Sequence, residues 1–441
     1  MPGTARAPSR GSPGRLPHRR SGAVLGPRAY PRRRPCYTLS VPGPDVLVVG
    51  GGFAGASLAL ALARGGLRVL VLEREREFRD RVRGELVYPW GVAEGRRLGL
   101  VEHLAPAVTE VEAWSTTIAP LPTRRRELRA STPSGEPVLS FQHPEAQELL
   151  LAAAAAAGAE VVRDAAVVGV EPGPRPAAVA REGRERRERR YEAGLVVGAD
   201  GRDSVVRRMG GFAVERGPEA LVLAGALLDG AGIPDDSAHV FMRPQGGELG
   251  MAVAVGGGRH RVYAGYHVAT GRRGLSGAAA LPAFVATAAA AGAPADWFDG
   301  ARLAGPLAEF SGAESWAAFP YRDGVALVGD AAATSDPNWG CGLALAWRDV
   351  RTLADALLAA ADLGAAARHY AERHEEYWGS LRRQTGWLTA VFRTPGPEAD
   401  ALRERALPLL VADPTRAPDV VGLGPDGPSD ERARRRFFGE E

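Results

Sequence analysis

Apolar residues run through this chain in two textures, and each texture predicts its own kind of element. Val46–Val49 is an unbroken apolar run of four, which suits a parallel strand covered on both faces. Gly50, Gly52 and Gly55 follow it with the spacing G-x-G-x-x-G. Residues 53–64 are then rich in Ala and Leu and read as a helix, stopped by Gly65-Gly66. A second apolar strand, Val69 to Leu72, ends at Glu73. The strand-then-turn pattern returns in LVVGADGRDSVVRR, residues 195–208, where a buried strand delivers Asp200-Gly201 and a helix starts at Ser204. It returns again at Val325 to Val328, which ends in Gly329-Asp330 before a glycine-rich loop and a long helix. Between these stretches the pattern predicts a helix from Tyr88-Pro89-Trp90 to Gly99, strands and turns over 111–141, and a helix from His143 to Gly158.

The second texture fills residues 219–320, where short apolar strands alternate with glycine turns (LVLAGALL, HVFMR, LGMAVAV, RVYAGYHV) around one Ala-rich helix near 278–291. That reads as a mostly antiparallel sheet inserted between two pieces of an α/β nucleotide domain. The expected division is a disordered Arg/Pro-rich tail at 1–44, a nucleotide domain at 45–218 and a substrate sheet at 219–320. The second part of the nucleotide domain, with a long helix, follows at 321–392, and a C-terminal extension at 393–441. Tyr370, Tyr377 and Trp387 are expected to cover the core from that helix.

Composition narrows the function. At 441 residues and 45% hydrophobic, the chain has the content of an ordinary globular protein, and no apolar run approaches the ~18 residues of a membrane span. The pI near 9.0 comes from the tail, whose nine arginines stand against no acidic residue before Asp45. They outweigh the whole chain's excess of +3, so the rest is mildly acidic and no nucleic-acid partner is expected. The run REGRERRERR at 181–190 mixes both signs and reads as a solvated hairpin. There is no lysine, which removes that residue from every catalytic role. Two cysteines in unrelated contexts, Cys36 and Cys341, argue against a disulfide or metal framework and for a reducing cytoplasm.

The glycine stretch carries the first chemistry. A strand before it, a helix after it and an acid about 20 residues on make a dinucleotide site. The glycines allow the tight turn, the approach of backbone to a pyrophosphate and close helix packing, while Glu73 can accept from a ribose. Taken alone, this stretch fits NAD or FAD. Asp330, at a later strand end, can accept from sugar-alcohol hydroxyls, and the helix starting near Gly342 offers unpaired N–H groups to an anion.

In their order and spacing, the three stretches resemble the FAD-dependent aromatic hydroxylases of the p-hydroxybenzoate hydroxylase type, the group A flavoprotein monooxygenases, over roughly residues 45–390. The resemblance implies a Rossmann-type FAD-binding domain with an inserted, mostly antiparallel substrate sheet and a helical C-terminal part. It decides for FAD, because an NAD enzyme has no use for the late Gly-Asp stretch. By the same resemblance Gly50, Gly52, Phe53, Ala54 and Gly55 hold the pyrophosphate, and Glu73 with Arg74 the adenosine ribose. Arg83 and Gln147 would touch the flavin, Asp200 the pyrophosphate region and NAD(P)H, and Asp330 the ribityl chain. Pro337 and Gly340 would lie beside the isoalloxazine ring, and the N–H groups near Gly342 and Leu343 would face its N1–C2=O edge. Ala333, Asp336, Cys341, Ala344 and His143 depart from the family's usual residues, so no family substrate is carried over.

The implied reaction is monooxygenation of a small aromatic or polyketide/terpenoid-like substrate by O₂ through a flavin C4a-hydroperoxide. NAD(P)H would be a transient co-substrate, or a flavin reductase or ferredoxin a separate donor, with the protein a monomer or homodimer. The flavin carries such chemistry and the protein supplies orientation and water exclusion, so no catalytic side chain is assigned. Trp90, Trp316, Phe319, Tyr321 and Trp339 are candidate pocket walls, and His239, Arg243 and His267 could face substrate from the inserted sheet. A flavin-dependent halogenase stays as a less favoured alternative, because such enzymes place a lysine between flavin and substrate and carry a Trp-x-Trp-x-Ile-Pro motif, neither of which is present. Two further functions fit the same fold: a geranylgeranyl-reductase-like saturase, suggested by Arg83-Gly84-Glu85, and a non-catalytic FAD-fold binding protein.

Overall fold

The computed structural model describes Gly3, residues 43–82 and residues 84–441. The tail expectation therefore falls almost wholly outside the described residues, as do Cys36 and Arg83.

The three apolar runs that precede the motifs are neighbours in one six-stranded sheet. Its order is Tyr321–Arg322, Val325–Leu327, Leu195–Gly198, Val46–Val49, Val69–Glu73, Glu160–Arg163, with only the first pair antiparallel. Val46 sits opposite both Leu195 and Val69. Parallel registers of this kind bring the C-terminal ends of all three runs to one edge, where ligands of open α/β sheets bind. The helix Phe53–Arg64 covers one face between the helices His143–Ala156 and Gly342–Ala359. Phe53 stacks on Trp347 at 4.9 Å, and the Trp347 indole donates to the Ser57 hydroxyl at 3.0 Å.

The inserted sheet has eight strands, and two of them come from outside 219–320. Ala113–Ile118 pairs in parallel with Ala238–Arg243, and Arg124–Glu127 pairs with Ala113–Ile118 in turn. A parallel partner more than a hundred residues away leaves no trace in local periodicity, so the boundary at 218/219 misses them. Period-two alternation divides the faces. Val222, Ala224, Phe241, Ala252, Val262 and Ala264 pack with the helix Leu281–Ala291 into a separate core. Leu223, Val240, Met242, Leu249, Met251 and Val253 point the other way, toward the FAD-type domain.

Past the helix Leu363–Phe392, the C-terminal extension folds back as a strap. The Trp90 indole donates to the Val420 carbonyl at 3.0 Å, and Arg126 grips Asp419 through two nitrogens at 2.7 and 2.8 Å. Residues 417–421, which carry both grips, close one side of the cavity described next.

Candidate active site

A cavity of about 690 Å³ runs from the C-terminal edge of the parallel sheet to the apolar face of the inserted sheet. At its first end the chain leaves Val46–Val49 through Gly50, whose φ of +100° is a left-handed conformation that favours glycine. A Cβ on Gly55 would overlap the Gly50 carbonyl oxygen, so only glycine lets the helix start this close to the strand. The helix has no side-chain cap at Gly52, and Phe53 and Ala54 at its N-terminus line the cavity. Its unpaired N–H groups and dipole therefore face the cavity. Glu73 is buried and accepts from the Gly51 N–H at 2.6 Å and the Glu75 N–H at 2.8 Å. It braces the turn as well as lining the site.

Asp200 and Asp330 stand at the adjoining strand ends, and both line the cavity. The Asp200 carboxylate accepts from Ser204 Oγ at 2.5 Å and from the Val205 and Val206 N–H groups at 2.6 and 3.1 Å, so it caps the helix Val205–Met209. Burial pushes its carboxyl above the usual Asp range, against those three donors. Arg207 donates to the Asp330 and Ala331 carbonyls at 3.2 and 3.1 Å and fixes the late turn to the middle one.

The second end begins at the loop Pro337–Gly342. The 18-residue helix Gly342–Ala359 also starts without a side-chain cap, and Gly342 and Leu343 line the cavity beside Pro337, Trp339 and Gly340. Gln147 reaches the cavity from the helix opposite. His143 lies beside it, stacked on Phe53 at 6.3 Å and hydrogen-bonded through Nδ1 to the Gly84 carbonyl at 2.5 Å. Burial brings its imidazole down to about 4, so it is neutral at pH 7. Beyond these residues the walls are Tyr88, Trp114, Phe310, the apolar sheet face and the strap 417–421.

The cavity thus gathers Gly50, Gly52, Phe53, Ala54, Glu73, Arg74, Gln147, Asp200, Asp330, Pro337, Trp339, Gly340, Gly342 and Leu343, with Gly55 just beneath. Four of the five aromatic wall candidates lie elsewhere. Trp90 anchors the strap, and Trp316 sits under Arg382 at 3.8 Å and beside Trp378. Tyr321 is on the edge strand under Arg368, and Phe319 is half-buried outside the cavity. Only Trp339 lines it, with its indole donating to Thr389 Oγ1 at 2.9 Å.

The three polar candidates from the inserted sheet also miss the cavity. Val240 and Met242 point into it, so alternation turns His239 and Arg243 away, while His267, on the same strand face as Tyr263, lies at the strand end outside the lining. His239 bonds the Pro234 carbonyl, Arg243 pairs with Glu248, and His267 accepts from the Ala269 N–H.

Several contributors leave no signal in the sequence. Asp349, fully buried, accepts from the Gly329 N–H at 2.8 Å and from Tyr377 Oη at 2.6 Å, and so holds the late turn from below. A buried cluster of Arg261, Asp80, Glu85 and Tyr263 supports the wall, with Arg261 Nη2 2.8 Å from Asp80 and 3.3 Å from Glu85. An Asp followed by Glu85 and, far along the chain, by R-x-Y carries no recognisable spacing. Arg393 also lines the cavity and is fully buried.

The donor set fits a dinucleotide. Two long helices turn uncapped N-termini into one cavity, one at a glycine turn where a Cβ would clash, the other beside an aromatic-walled space. A flavin dinucleotide presents an anionic pyrophosphate to the first and an electron-accepting ring edge to the second. Such a fold and site define an FAD-dependent oxidoreductase of the group A monooxygenase type. The chain belongs to the FAD binding domain family, which matches residues 44–377.

Among relatives, it is 31% identical over 404 residues to the 3-amino-4-hydroxybenzoate 2-monooxygenase of Streptomyces platensis, covering 84% of this chain and 94% of that one. A squalene monooxygenase of Eremothecium gossypii is 42% identical over 89 residues, 20% of this chain and 17% of its own, so this chain matches only about a sixth of that relative's length. Among solved structures, the p-nitrophenol 4-monooxygenase of Pseudomonas putida DLL-E4 shares the fold with a TM-score of 0.68 at 21% identity, over 83% of this chain and 93% of that one. Among the described residues no helix is long and apolar enough to cross a membrane, and no cluster of His, Cys, Asp and Glu could hold a metal.

Proposed function

We propose that this chain inserts one oxygen atom of O₂ into a small aromatic or polyketide/terpenoid-like substrate, with NAD(P)H as the source of reducing equivalents, in the reducing cytoplasm. One observation carries this reading. The glycine turn and the second uncapped helix open into the same cavity as an apolar sheet face, so cofactor floor and water-poor substrate lobe are continuous. Bound FAD supplies the activation of O₂ and the transfer of one oxygen atom. The remaining work falls to the chain. N–H groups around Gly50, Gly52, Phe53 and Ala54 hold the pyrophosphate, with Gly55 keeping the helix close. Glu73 and Arg74 take the ribose, Asp330 the ribityl hydroxyls, and Gln147 the ring from the opposite helix. Asp200 acts from its helix-capping position near the pyrophosphate. Pro337 and Gly340 flank the ring, and the Gly342 and Leu343 N–H groups stabilise negative charge at its edge. Trp114, Trp339 and the apolar strands exclude water, which favours oxygen transfer over release of peroxide.

The substrate named for the Streptomyces relative, 3-amino-4-hydroxybenzoate, is the first to try. The FAD-loaded protein, given NADH or NADPH in ¹⁸O₂, should form a product heavier by one ¹⁸O. Flavin uptake with product formed only after chemical reduction points to an external reductase and keeps the reading. Flavin uptake with only peroxide released across aromatic and polyketide substrates, reduced by either route, sinks it.

A further inference from the structure

The substrate end of the cavity contains a charged side chain that makes no hydrogen bond among the described residues. Arg393 follows the helix Leu363–Phe392, is 0% exposed and lines the cavity. None of its three guanidinium nitrogens has a hydrogen-bond partner among the described residues. An aromatic face lies against it, with the guanidinium carbon 4.9 Å from the centroid of Trp339. Asp336 is the carboxyl group whose charge acts on it, without a hydrogen bond to it, and its Oδ1 is taken by the Asn338 N–H at 2.9 Å and side-chain amide at 2.5 Å. The other buried arginines, some of whose nitrogens also lack partners, each have at least one. Arg403 donates to the Val391 and Thr394 carbonyls at 3.0 and 2.8 Å and to Asp400 at 2.5 Å. Arg207 caps three carbonyls, and Arg261 pairs with Asp80.

Leaving the donors of a buried cation without partners is among the more costly arrangements a core can hold. Desolvation lowers its pKa to about 10, which still leaves it charged at neutral pH. A guanidinium presents a planar fork of N–H groups that matches a carboxylate through two parallel bonds. Among the cavity walls, Leu388, Phe392, Trp339, Tyr88 and the apolar sheet face suit a carbon skeleton, and none of them carries a carboxylate.

Resting on the oxygen-insertion reading above, we propose that Arg393 is the recognition site for a carboxylate of the substrate, so that this chain acts on organic acids, with the carboxylate at Arg393 and the skeleton against the sheet. Arg393 is then a specificity-determining residue and takes no part in oxygen transfer.

Calorimetric titration tests this with three acids and their amides: benzoate, 4-hydroxybenzoate and 3-amino-4-hydroxybenzoate, against the FAD-loaded protein. At least one acid should bind ~30-fold or more tightly than its amide, since stranding a buried charge partner is a large loss. Arg393→Met should erase that preference and Arg393→Lys should keep part of it, with bound flavin per chain unchanged in both. A purely structural arginine would lower stability when removed. Here Arg393→Met should instead raise the thermal midpoint of the ligand-free protein, because an unpaired buried charge is gone. Equal binding of acid and amide, no binding by any acid, or equal competition by chloride overturns the proposal. Heat of binding needs no flavin signal, so a folded protein that takes up no FAD sinks the oxygen-insertion reading while acid binding is still read separately.

Discussion

The two ends of the cavity are built by opposite means. At the glycine turn the working groups are backbone N–H groups, and the side chains that matter are already engaged with backbone, Glu73 with the turn at Gly51 and Asp200 with the start of the helix Val205–Met209. At the sheet end the working surface is side chain throughout: Trp114, Trp339, six apolar strand residues and one unsatisfied arginine. A backbone site is specified by what cannot be present, namely a Cβ, and such a constraint is written in consecutive residues. A side-chain site is specified by which distant strands meet. The first should be brittle and indifferent to substrate, the second tolerant and selective.

Brittleness gives the largest expected effect. Gly55→Val would drive a branched side chain into the Gly50 carbonyl, with Ala199 directly behind at 3.1 Å. Either the helix lifts off the strand or the turn opens, and both remove the pyrophosphate cradle. Overpacking of this kind typically costs about 1–3 kcal/mol or more. The variant should be purified without flavin and melt several degrees lower. A folded variant carrying one FAD per chain would refute the view that the turn tolerates no side chain.

A smaller change probes the brace under that turn. Glu73→Ala strands the buried Gly51 N–H, at a cost of about 1–3 kcal/mol, which corresponds to an FAD dissociation constant weakened by roughly 5- to 150-fold. Glu73→Gln keeps one acceptor oxygen and should lose less. Flavin fluorescence titration of both variants reads the difference. If the two lose equally, the carboxylate's charge matters more than its hydrogen bond to the turn.

The same contrast explains what the sequence made legible. Val46–Val49, Leu195–Gly198 and Val325–Leu327 each announce themselves by an apolar run ending in glycine or Gly-Asp, so their adjacency at one sheet edge follows from ordinary parallel topology. The aromatic wall candidates stand out by residue type and nearness to those runs, and tertiary structure sends Trp90 to the strap and Trp316 to an arginine stack. Trp339 reaches its expected place because it lies inside the loop between a strand end and a helix start, where local order still decides position. Ala113–Ile118 and the strap 417–421 reach the cavity through long-range pairing alone, and no short window contains that information. Arg393 looks like any arginine at a helix end. Its meaning comes from the absence of partners among the described residues, which only three-dimensional packing shows.

Asp349 crosses the comparison, because it is a side chain supporting the backbone end, and its effect on cofactor binding should be the smallest of the three. In Asp349→Asn the carbonyl oxygen can still accept from the Gly329 N–H, and the Tyr377 hydroxyl can turn to accept from the new amide. FAD affinity should therefore change by less than about tenfold. Its pH signature is the sharper readout. Burial raises the Asp349 carboxyl from 3.8 to about 7, so between these values the folded chain keeps a proton that the unfolded chain releases. The group's contribution to stability is full below about pH 4, is lost steadily as pH rises through 7, and is flat above. Glu314, raised by burial to about 7 as well, adds a slope of the same sign that persists in the variant. Denaturant midpoints should thus fall further between pH 5 and pH 8 for the parent chain than for Asp349→Asn. Parallel falls would mean that Asp349 is ionised at both pH values, with the Gly329 N–H and Tyr377 hydroxyl outweighing its burial, and the late turn would then rest on a charge rather than on a neutral hydrogen-bonded acid.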